Sequence, residues 1–278
     1  MTVLLGVAHG SRDEAAQEVV RSLLDAAAER LGIVALPAYI DNASPSIALA
    51  LAGLATAGET DVVVLPLLLN AAGHSKTDVA ASVQQARLEH PDMRIRYGRP
   101  FGAHPSVVAV LEQRLVDAGA EDRPVVVAAG GSLDPDANAT VAATARLLWE
   151  GRTHPTVDYA FVSTTGPSVE EALRRSPDAV VSLLFLGPGY LPSKAAEAAG
   201  DRLVTAPLGP ADALVDLVVE RYQEALGGDV RMNCDVCLYR VALPGREASV
   251  GAPQVPHTHP DDRSNARVQE AGGRDHEL

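Results

Sequence analysis

Residues 3–17 read VLLGVAHGSRDEAAQ, and residues 125–139 read VVVAAGGSLDPDANA. Each stretch begins with an apolar run, passes through a glycine-containing loop and continues into a segment with helical spacing. Because the apolar runs lack polar alternation, they are typical of parallel strands that helices cover on both faces. Similar runs return as VVVLPLLL and AVVSLLFL between Ala-, Leu- and Glu-rich segments. This alternation predicts an α/β fold with parallel sheets, whose ligands bind beyond the carboxyl ends of the strands.

Three further blocks of sequence repeat in the same order. PAYIDNASPSIALAL (37–51) returns as YAFVSTTGPSVEEAL (159–173), and VVVLPLLLNAAGHSK (62–76) returns as VVSLLFLGPGYLPSK (180–194). RPFGAHPSVVAVL (99–111) returns as APLGPADALVDLV (206–218). We therefore interpret residues 1–122 and 123–228 as two copies of one α/β domain, followed by an irregular tail over residues 229–278.

Four polar side chains at predicted strand ends occur only in the first copy. The matched residues are His9 with Gly130, Asp41 with Ser163, His74 with Pro192 and His104 with Ala211. Imidazoles and a carboxylate suit Zn, Co, Ni or Fe in the divalent state. Because the fold alone does not explain residues found in one copy only, we predict a metal site at His9, Asp41 and His74. His104 precedes Pro105 at a predicted helix start, so a structural role competes there.

Cationic residues near the predicted metal site are candidates for binding an anionic ligand. The two lysines of the chain, Lys76 and Lys194, occupy matched positions, each after a serine expected to cap a helix. Inheritance from a common repeat explains this match without function, although a cation at the sheet edge would also hold a carboxylate. Arg12 lies near His9 and corresponds to Leu133 in the second copy. We predict Arg12 and Lys76 as substrate-binding residues.

Composition excludes several classes of function. The chain has 278 residues, of which 47% are hydrophobic, so it can bury one large core or two smaller ones. A net charge of −13 argues against nucleic acid, which binds clustered Lys and Arg. No apolar run approaches the roughly 20 residues needed to cross a bilayer. These features, together with a cysteine count of only two, predict a cytoplasmic protein with no membrane partner.

The motifs taken together resemble class II chelatases of the CbiX and SirB type, which insert a metal into sirohydrochlorin. The resemblance rests on VLLGVAHGSRDEAAQ, PAYIDNASPS, LPLLLNAAGHSKTDV and GAHPSV, and it covers residues 1–228. It implies a chelatase-like fold in which two similar domains face each other across a cleft. It also implies that His9 and His74 bind the metal with an acidic residue, here Asp41. The family usually has glutamate at that acidic position, where this chain has the shorter aspartate.

The tail contains RMNCDVCLYR, an MxCxxC pattern formed by Met232, Cys234 and Cys237. Some cobalt-type members of the family are similar there, which implies an iron-sulfur centre. Two cysteines do not complete a four-cysteine cluster, so the remaining ligands would be His257, His259, a non-protein group or a second chain. The same residues also fit a pair of labile thiols or a metal site built from CxxC and HxH.

The expected function is therefore a sirohydrochlorin chelatase that inserts Co²⁺ or Fe²⁺ for cobalamin or siroheme biosynthesis. One histidine is expected to relay pyrrole protons, because imidazole titrates near neutral pH. No GxxxxGK phosphate loop occurs in the sequence, which predicts a reaction independent of ATP. The alternative is a divalent metal-binding or delivery protein, which would use the same side chains. Both a monomer and a homodimer fit the sequence.

Overall fold

The computed structural model describes residues 2–151 and 153–228. The MxCxxC segment lies outside the described residues, and with it Cys234, Cys237 and the predicted iron-sulfur centre. Within the described part of the chain, no helix is long and apolar enough to cross a membrane.

The first copy contains a four-stranded sheet in which every neighbouring pair is parallel. Its spatial order is β2-β1-β3-β4, so β1 lies inside the sheet between β2 and β3. The strands are β1 (Val3–Ala8), β2 (Ala35–Tyr39), β3 (Asp61–Pro66) and β4 (Arg94–Tyr97). The helices are α1 (Glu14–Leu31), α2 (Ile47–Thr56), α3 (Val79–Glu89) and α4 (Pro105–Asp117), with a π-helical turn at His74–Asp78.

The second copy contains a parallel three-stranded sheet with the matching order β6-β5-β7. The strands are β5 (Val125–Ala129), β6 (Val157–Phe161) and β7 (Val180–Leu183). The helices are α5 (Pro135–Glu150), α6 (Val169–Arg175), α7 (Tyr190–Ala199) and α8 (Asp212–Leu226). In the part of the chain that the structure describes, the counterpart of β4 is reduced to one bridge, between Val181 and Val204. The predicted α/β class with two parallel sheets is confirmed.

Matched residues of the two copies cap matched helices. Asp13 and Asp134 accept hydrogen bonds from the backbone N–H two residues later, at 2.9 and 3.0 Å, at the starts of α1 and α5. Ser46 and Ser168 accept from the N–H three residues later, both at 3.2 Å, at the starts of α2 and α6. Repeated sequence thus builds repeated local structure, because each cap satisfies a donor that the helix leaves unpaired.

The last helix of each copy packs against elements of the other copy. Helix α4 packs against α5, α8 and β7, whereas α8 packs against α1, β3 and β4. One buried apolar cluster therefore runs through both copies and includes Leu4, Leu111, Val127 and Val218. The boundary that we predict at residue 122 separates the repeated sequences, but the packing interlocks them.

Candidate functional site

Two histidines meet at the carboxyl edge of the first sheet. Because β1 lies between β2 and β3, the chain segments that leave β1 and β3 are neighbours at that edge. His9 follows β1 directly, and His74 begins the π-helical turn after β3. Their imidazole centroids are 4.8 Å apart, with the ring planes at 89°. His9 is exposed and the side chain of His74 is 40% exposed, so both rings are accessible to a ligand.

Each imidazole has an acceptor oxygen beside Nδ1. Nδ1 of His74 lies 2.6 Å from Oδ2 of Asp78, and Nδ1 of His9 lies 3.4 Å from the carbonyl oxygen of Gly10. An acceptor at Nδ1 favours the tautomer protonated there, which places the lone pair of the neutral ring on Nε2. Neutral imidazoles of this tautomer are suitable ligands for a divalent metal.

Asp78 is a site residue that the comparison of the two repeats did not predict. Its side chain is 10% exposed, and it is the carboxylate partner of His74. A carboxylate behind a ligating histidine fixes the ring orientation and raises its basicity as a ligand. The available signal was the spacing of four residues between His74 and Asp78, which places two side chains on one face of a helix.

A π-helical turn carries His74 and Asp78. The backbone N–H of Val79 donates to the carbonyl of His74, five residues earlier, and the hydroxyl of half-buried Tyr97 donates to the carbonyl of Ser75. Burial raises the pKa of Tyr97 far above its ordinary value, so this phenol remains a donor. The matched segment in the second copy lies within the α-helix α7. Such turns are often found at functional sites.

The helix-capping roles predicted for Ser75 and Ser193 are wrong. Ser75 is buried inside the π-helical turn, and its hydroxyl donates to the carbonyl of Ala72 at 3.0 Å. Ser193 lies within α7 and donates to the carbonyl of Gly189 at 2.9 Å. Both helical segments begin before the serine, so each hydroxyl reaches back to a carbonyl instead of capping an N–H.

Asp41 lies at the same edge but does not join the histidine pair as a third ligand. Its backbone N–H donates to the carbonyl of His9 at 2.8 Å. Its carboxylate accepts from the backbone and side-chain amides of Asn42 at 2.8 and 3.0 Å. Across residues 2–151 and 153–228, no group of three or more His, Cys, Asp or Glu side chains is placed to hold a metal. The carboxylate that the sequence predicts as a third ligand is thus engaged with Asn42.

The loop after His9 requires glycine at position 10. Gly10 has φ +97°, and an added Cβ would lie 1.6 Å from the carbonyl oxygen of Asp41. We expect Gly10→Ala to lower the free energy of unfolding by more than about 2 kcal/mol, since the strain of positive φ adds to a backbone overlap. Urea unfolding measures the loss.

Gly32 provides the matched control, because it has φ +65° and no heavy atom within 4 Å of an added Cβ. Gly32→Ala carries only the conformational penalty, about 1 kcal/mol. Equal losses in the two variants would contradict the close approach at Gly10.

The two predicted substrate-binding cations have different surroundings. Arg12 is exposed and, among the described residues, makes no hydrogen bond or ion pair. Lys76 has a side chain only 9% exposed, and its Nζ lies 2.9 Å from carboxylate oxygens of both Asp134 and Asp136. Burial alone would lower the pKa of Lys76, but the hydrogen bonds and charges of these aspartates raise it above its ordinary value. Lys76 is thus held in ion pairs between the two copies, whereas Arg12, three residues after His9, is exposed.

The carboxyl edges of the two sheets face each other. The Lys76 ion pairs join the segment after β3 to the segment after β5. On the other side, a Cβ added to Gly189, after β7, would lie 3.6 Å from the Oγ of Ser11, after β1. His9 and His74 therefore lie where the second copy approaches the first.

His104 has the structural role that competed with metal binding in the sequence. It caps α4, because its Nδ1 accepts from the backbone N–H of Ser106 at 3.2 Å. Its Nε2 lies 3.6 Å from Glu220. Burial lowers the pKa of His104; Glu220 opposes this effect, and Arg221 and Arg99 add to it. A lowered pKa maintains the neutral ring that accepts the capping hydrogen bond.

Comparison with known proteins finds a matching family model, similar chelatases and a similar solved structure. A family model described as CbiX matches residues 3–118 and 124–225. A sirohydrochlorin cobaltochelatase of Priestia megaterium is 30% identical over 268 residues, which are 87% of this chain and 86% of that protein. A sirohydrochlorin ferrochelatase of Bacillus subtilis is 31% identical over 171 residues, 60% of this chain and 66% of that protein. The structure of SirB from Bacillus subtilis with Fe³⁺ has a TM-score of 0.71 at 25% identity, covering 81% of this chain and 95% of that one.

Proposed function

Because this chain belongs to the CbiX family, we propose that it is a sirohydrochlorin chelatase that inserts a divalent metal, Co²⁺ or Fe²⁺, into the macrocycle without ATP. The observation that carries the proposal is the His9–His74 pair, which stands at a ligand-binding edge and occurs in one copy only. Its accessible imidazoles suit a divalent ion of this kind. We favour Co²⁺ and cobalamin biosynthesis, since the alignment with a cobaltochelatase covers more of the chain than that with a ferrochelatase. Fe²⁺ and siroheme biosynthesis are the alternative.

The two histidines first bind the metal, and one of them then accepts protons. Insertion requires the metal to lose its waters and two pyrrole nitrogens of sirohydrochlorin to lose their protons. His9 and His74 hold the ion through imidazole nitrogen. As the macrocycle nitrogens replace them, one released imidazole accepts a pyrrole proton and passes it to water, and it then accepts and passes on the second in the same way. Asp78 keeps the ring of His74 oriented through both steps. Asp41 completes the ligand set if its carboxylate turns from Asn42, and exposed Arg12 binds a substrate carboxylate.

Removal of Asp78 tests its part in this scheme. We expect Asp78→Ala to weaken Co²⁺ binding by about 10- to 100-fold, the usual effect of losing a carboxylate behind a ligating histidine. Asp78→Asn keeps an acceptor oxygen near Nδ1 and is expected to retain more affinity than alanine. Isothermal titration with Co²⁺ measures both. Wild-type affinity in Asp78→Ala would show that the carboxylate is not needed at the site.

Spectroscopic assay of metal insertion tests the function itself. Purified protein is mixed anaerobically with sirohydrochlorin and either Co²⁺ or Fe²⁺, and the absorbance change is compared with the uncatalysed rate. A faster change supports the chelatase, and the metal with the larger kcat/KM identifies the pathway. If the protein binds metal but leaves insertion at the uncatalysed rate, the divalent metal-delivery protein takes the place of the chelatase.

A tail iron-sulfur centre at Cys234 and Cys237 is a separate proposal that rests on the MxCxxC pattern alone. Iron and acid-labile sulfide content after anaerobic purification tests it, with Cys234→Ser as the comparison. The cytoplasmic location and the choice between monomer and homodimer stay predictions from the sequence.

A further inference from the structure

The π-helical turn at His74–Asp78 differs from an α-helix in the donors that its carbonyl groups receive. In an α-helix the carbonyl of Ser75 would accept from the backbone N–H of Val79, four residues later. Here that N–H donates to the carbonyl of His74, five residues earlier. The hydroxyl of Tyr97, at the end of β4, donates to the carbonyl of Ser75. A side chain from another element thus takes the place of a helical hydrogen bond.

Two other hydroxyls donate to carbonyl groups at the start of this segment. Ser75 donates to Ala72 at 3.0 Å, and Thr77 donates to Gly73. Serine and threonine make such contacts within α-helices as well, so these two bonds do not select the π-helical form. The bond from Tyr97 does, because it satisfies the carbonyl from which the N–H of the following turn has moved.

Tyr97 occurs in the first copy only. It precedes the repeated block 99–111 by two positions, and Val204 precedes the matched block 206–218 by two positions. Valine has no hydroxyl to donate, and the segment of the second copy that matches the π-helical turn lies within the α-helix α7. The tyrosine, the π-helical turn and His74 are therefore found together in one copy and are all missing from the other.

The geometry of the turn determines where His74 lies. Val79 and Val83 of α3 are buried in an apolar cluster with Ile95 of β4, so the helix after the turn is anchored. A change from π-helical to α-helical hydrogen bonding would therefore move the residues at the start of the turn, among them His74. The separation of 4.8 Å between the rings of His9 and His74 depends on that position.

We propose that Tyr97 is a positioning residue of the metal site, whose hydroxyl maintains the π-helical turn and thereby holds His74 beside His9. The inference rests on the proposed function, in which these two histidines bind the metal substrate. Tyr97 acts through the carbonyl of Ser75 and not through contact with the ion. It organises the site before the ion arrives, so that less ordering is needed when the ion binds.

Tyr97→Phe tests this role, because it keeps the ring and removes only the hydroxyl. Calorimetry with Co²⁺ is expected to give a Kd about tenfold above wild type, the usual scale for a buried carbonyl that loses its donor. ¹⁵N NMR of the metal-free protein is expected to show shifted ring signals for His74. The ring signals of His154, a buried histidine after α5, are expected to stay unchanged. The NMR measurement reports on His74 without metal or activity.

Tyr222→Phe is the matched control. Tyr222 is buried, and its hydroxyl donates to the carbonyl of Thr2 at 3.4 Å, just before β1 and therefore at the opposite end of that strand from His9. Its Kd for Co²⁺ is expected to stay within about twofold of wild type, since the lost bond is remote from the histidines. Equal losses of Co²⁺ affinity in the two phenylalanine variants would assign the effect to general stability and overturn the role of Tyr97.

Either a wild-type Kd for Co²⁺ or unshifted His74 signals in Tyr97→Phe would also overturn it. Titration of the wild type with metal-free sirohydrochlorin, beside the insertion assay, separates this inference from the proposed function. If the wild type binds Co²⁺ but neither binds nor metallates sirohydrochlorin, the chelatase fails while the role of Tyr97 at the metal site stands. If the wild type does not bind Co²⁺, both fail.

Discussion

Replacing both His9 and His74 by alanine is expected to reduce the rate of Co²⁺ insertion into sirohydrochlorin by at least about 10²-fold. The variant loses both accessible imidazoles at the edge, and a positioned proton acceptor alone is worth about 10²–10⁴-fold. Steady-state absorbance assays with saturating sirohydrochlorin measure the rate. Affinity for metal-free sirohydrochlorin is expected to remain close to wild type, because Arg12, which we propose to bind a substrate carboxylate, is unchanged in this variant.

His104→Asn is the control for this experiment. It removes another histidine of the first copy, but asparagine is itself a good cap, so α4 keeps its hydrogen bond at the N-terminus. An insertion rate within about twofold of wild type is expected, because the substitution keeps the cap of α4 and leaves His9 and His74 in place. A double histidine variant that inserts metal as fast as wild type would place the reaction elsewhere.

The second large effect concerns stability and follows from the buried ion pairs of Lys76. Lys76→Met leaves Asp134 and Asp136 buried without their cation, since these residues are 6% and 9% exposed. Loss of one partner from a buried ion pair typically costs about 3–5 kcal/mol. We expect that decrease in the free energy of unfolding, measured by urea denaturation followed by circular dichroism.

Lys194→Met is the matched control for stability. Lys194 occupies the same position of the repeat, but its side chain is 43% exposed, and the ion pair that it forms with Glu197 is solvated. A change within about 0.5 kcal/mol is expected. If both lysine variants lose the same stability, the ion pairs between the copies are not the cause.

The stability lost in Lys76→Met is expected to depend on pH in a defined direction. The pKa of Lys76 is raised in the folded protein above its ordinary value of 10.5. Its charge therefore stabilises the fold fully below that value, and the contribution is lost as pH rises through the folded pKa. The difference between wild type and Lys76→Met is expected to stay constant from neutral pH to about pH 9 and to shrink only above about pH 10.5.

Local patterns in the sequence were sufficient for the architecture. Continuous apolar runs predicted parallel strands, because strands buried on both faces need no polar alternation. The comparison of repeats identified His9 and His74, and strand adjacency then placed them together. His104 before Pro105 was also interpretable locally, since a cap depends on residues only a few positions apart.

Only the tertiary structure decided how these residues are used. Lys76 is equivalent to Lys194 in the sequence, yet one is buried between two aspartates and the other is exposed, because opposed sheets bring Asp134 to only one of them. The orientation of the Asp41 carboxylate towards Asn42 likewise depends on side-chain geometry that spacing does not specify. Sequence thus determined which chemical groups stand at each sheet edge. Their partners were decided by the interlocked packing of the two copies, in which one apolar core fixes how the edges meet.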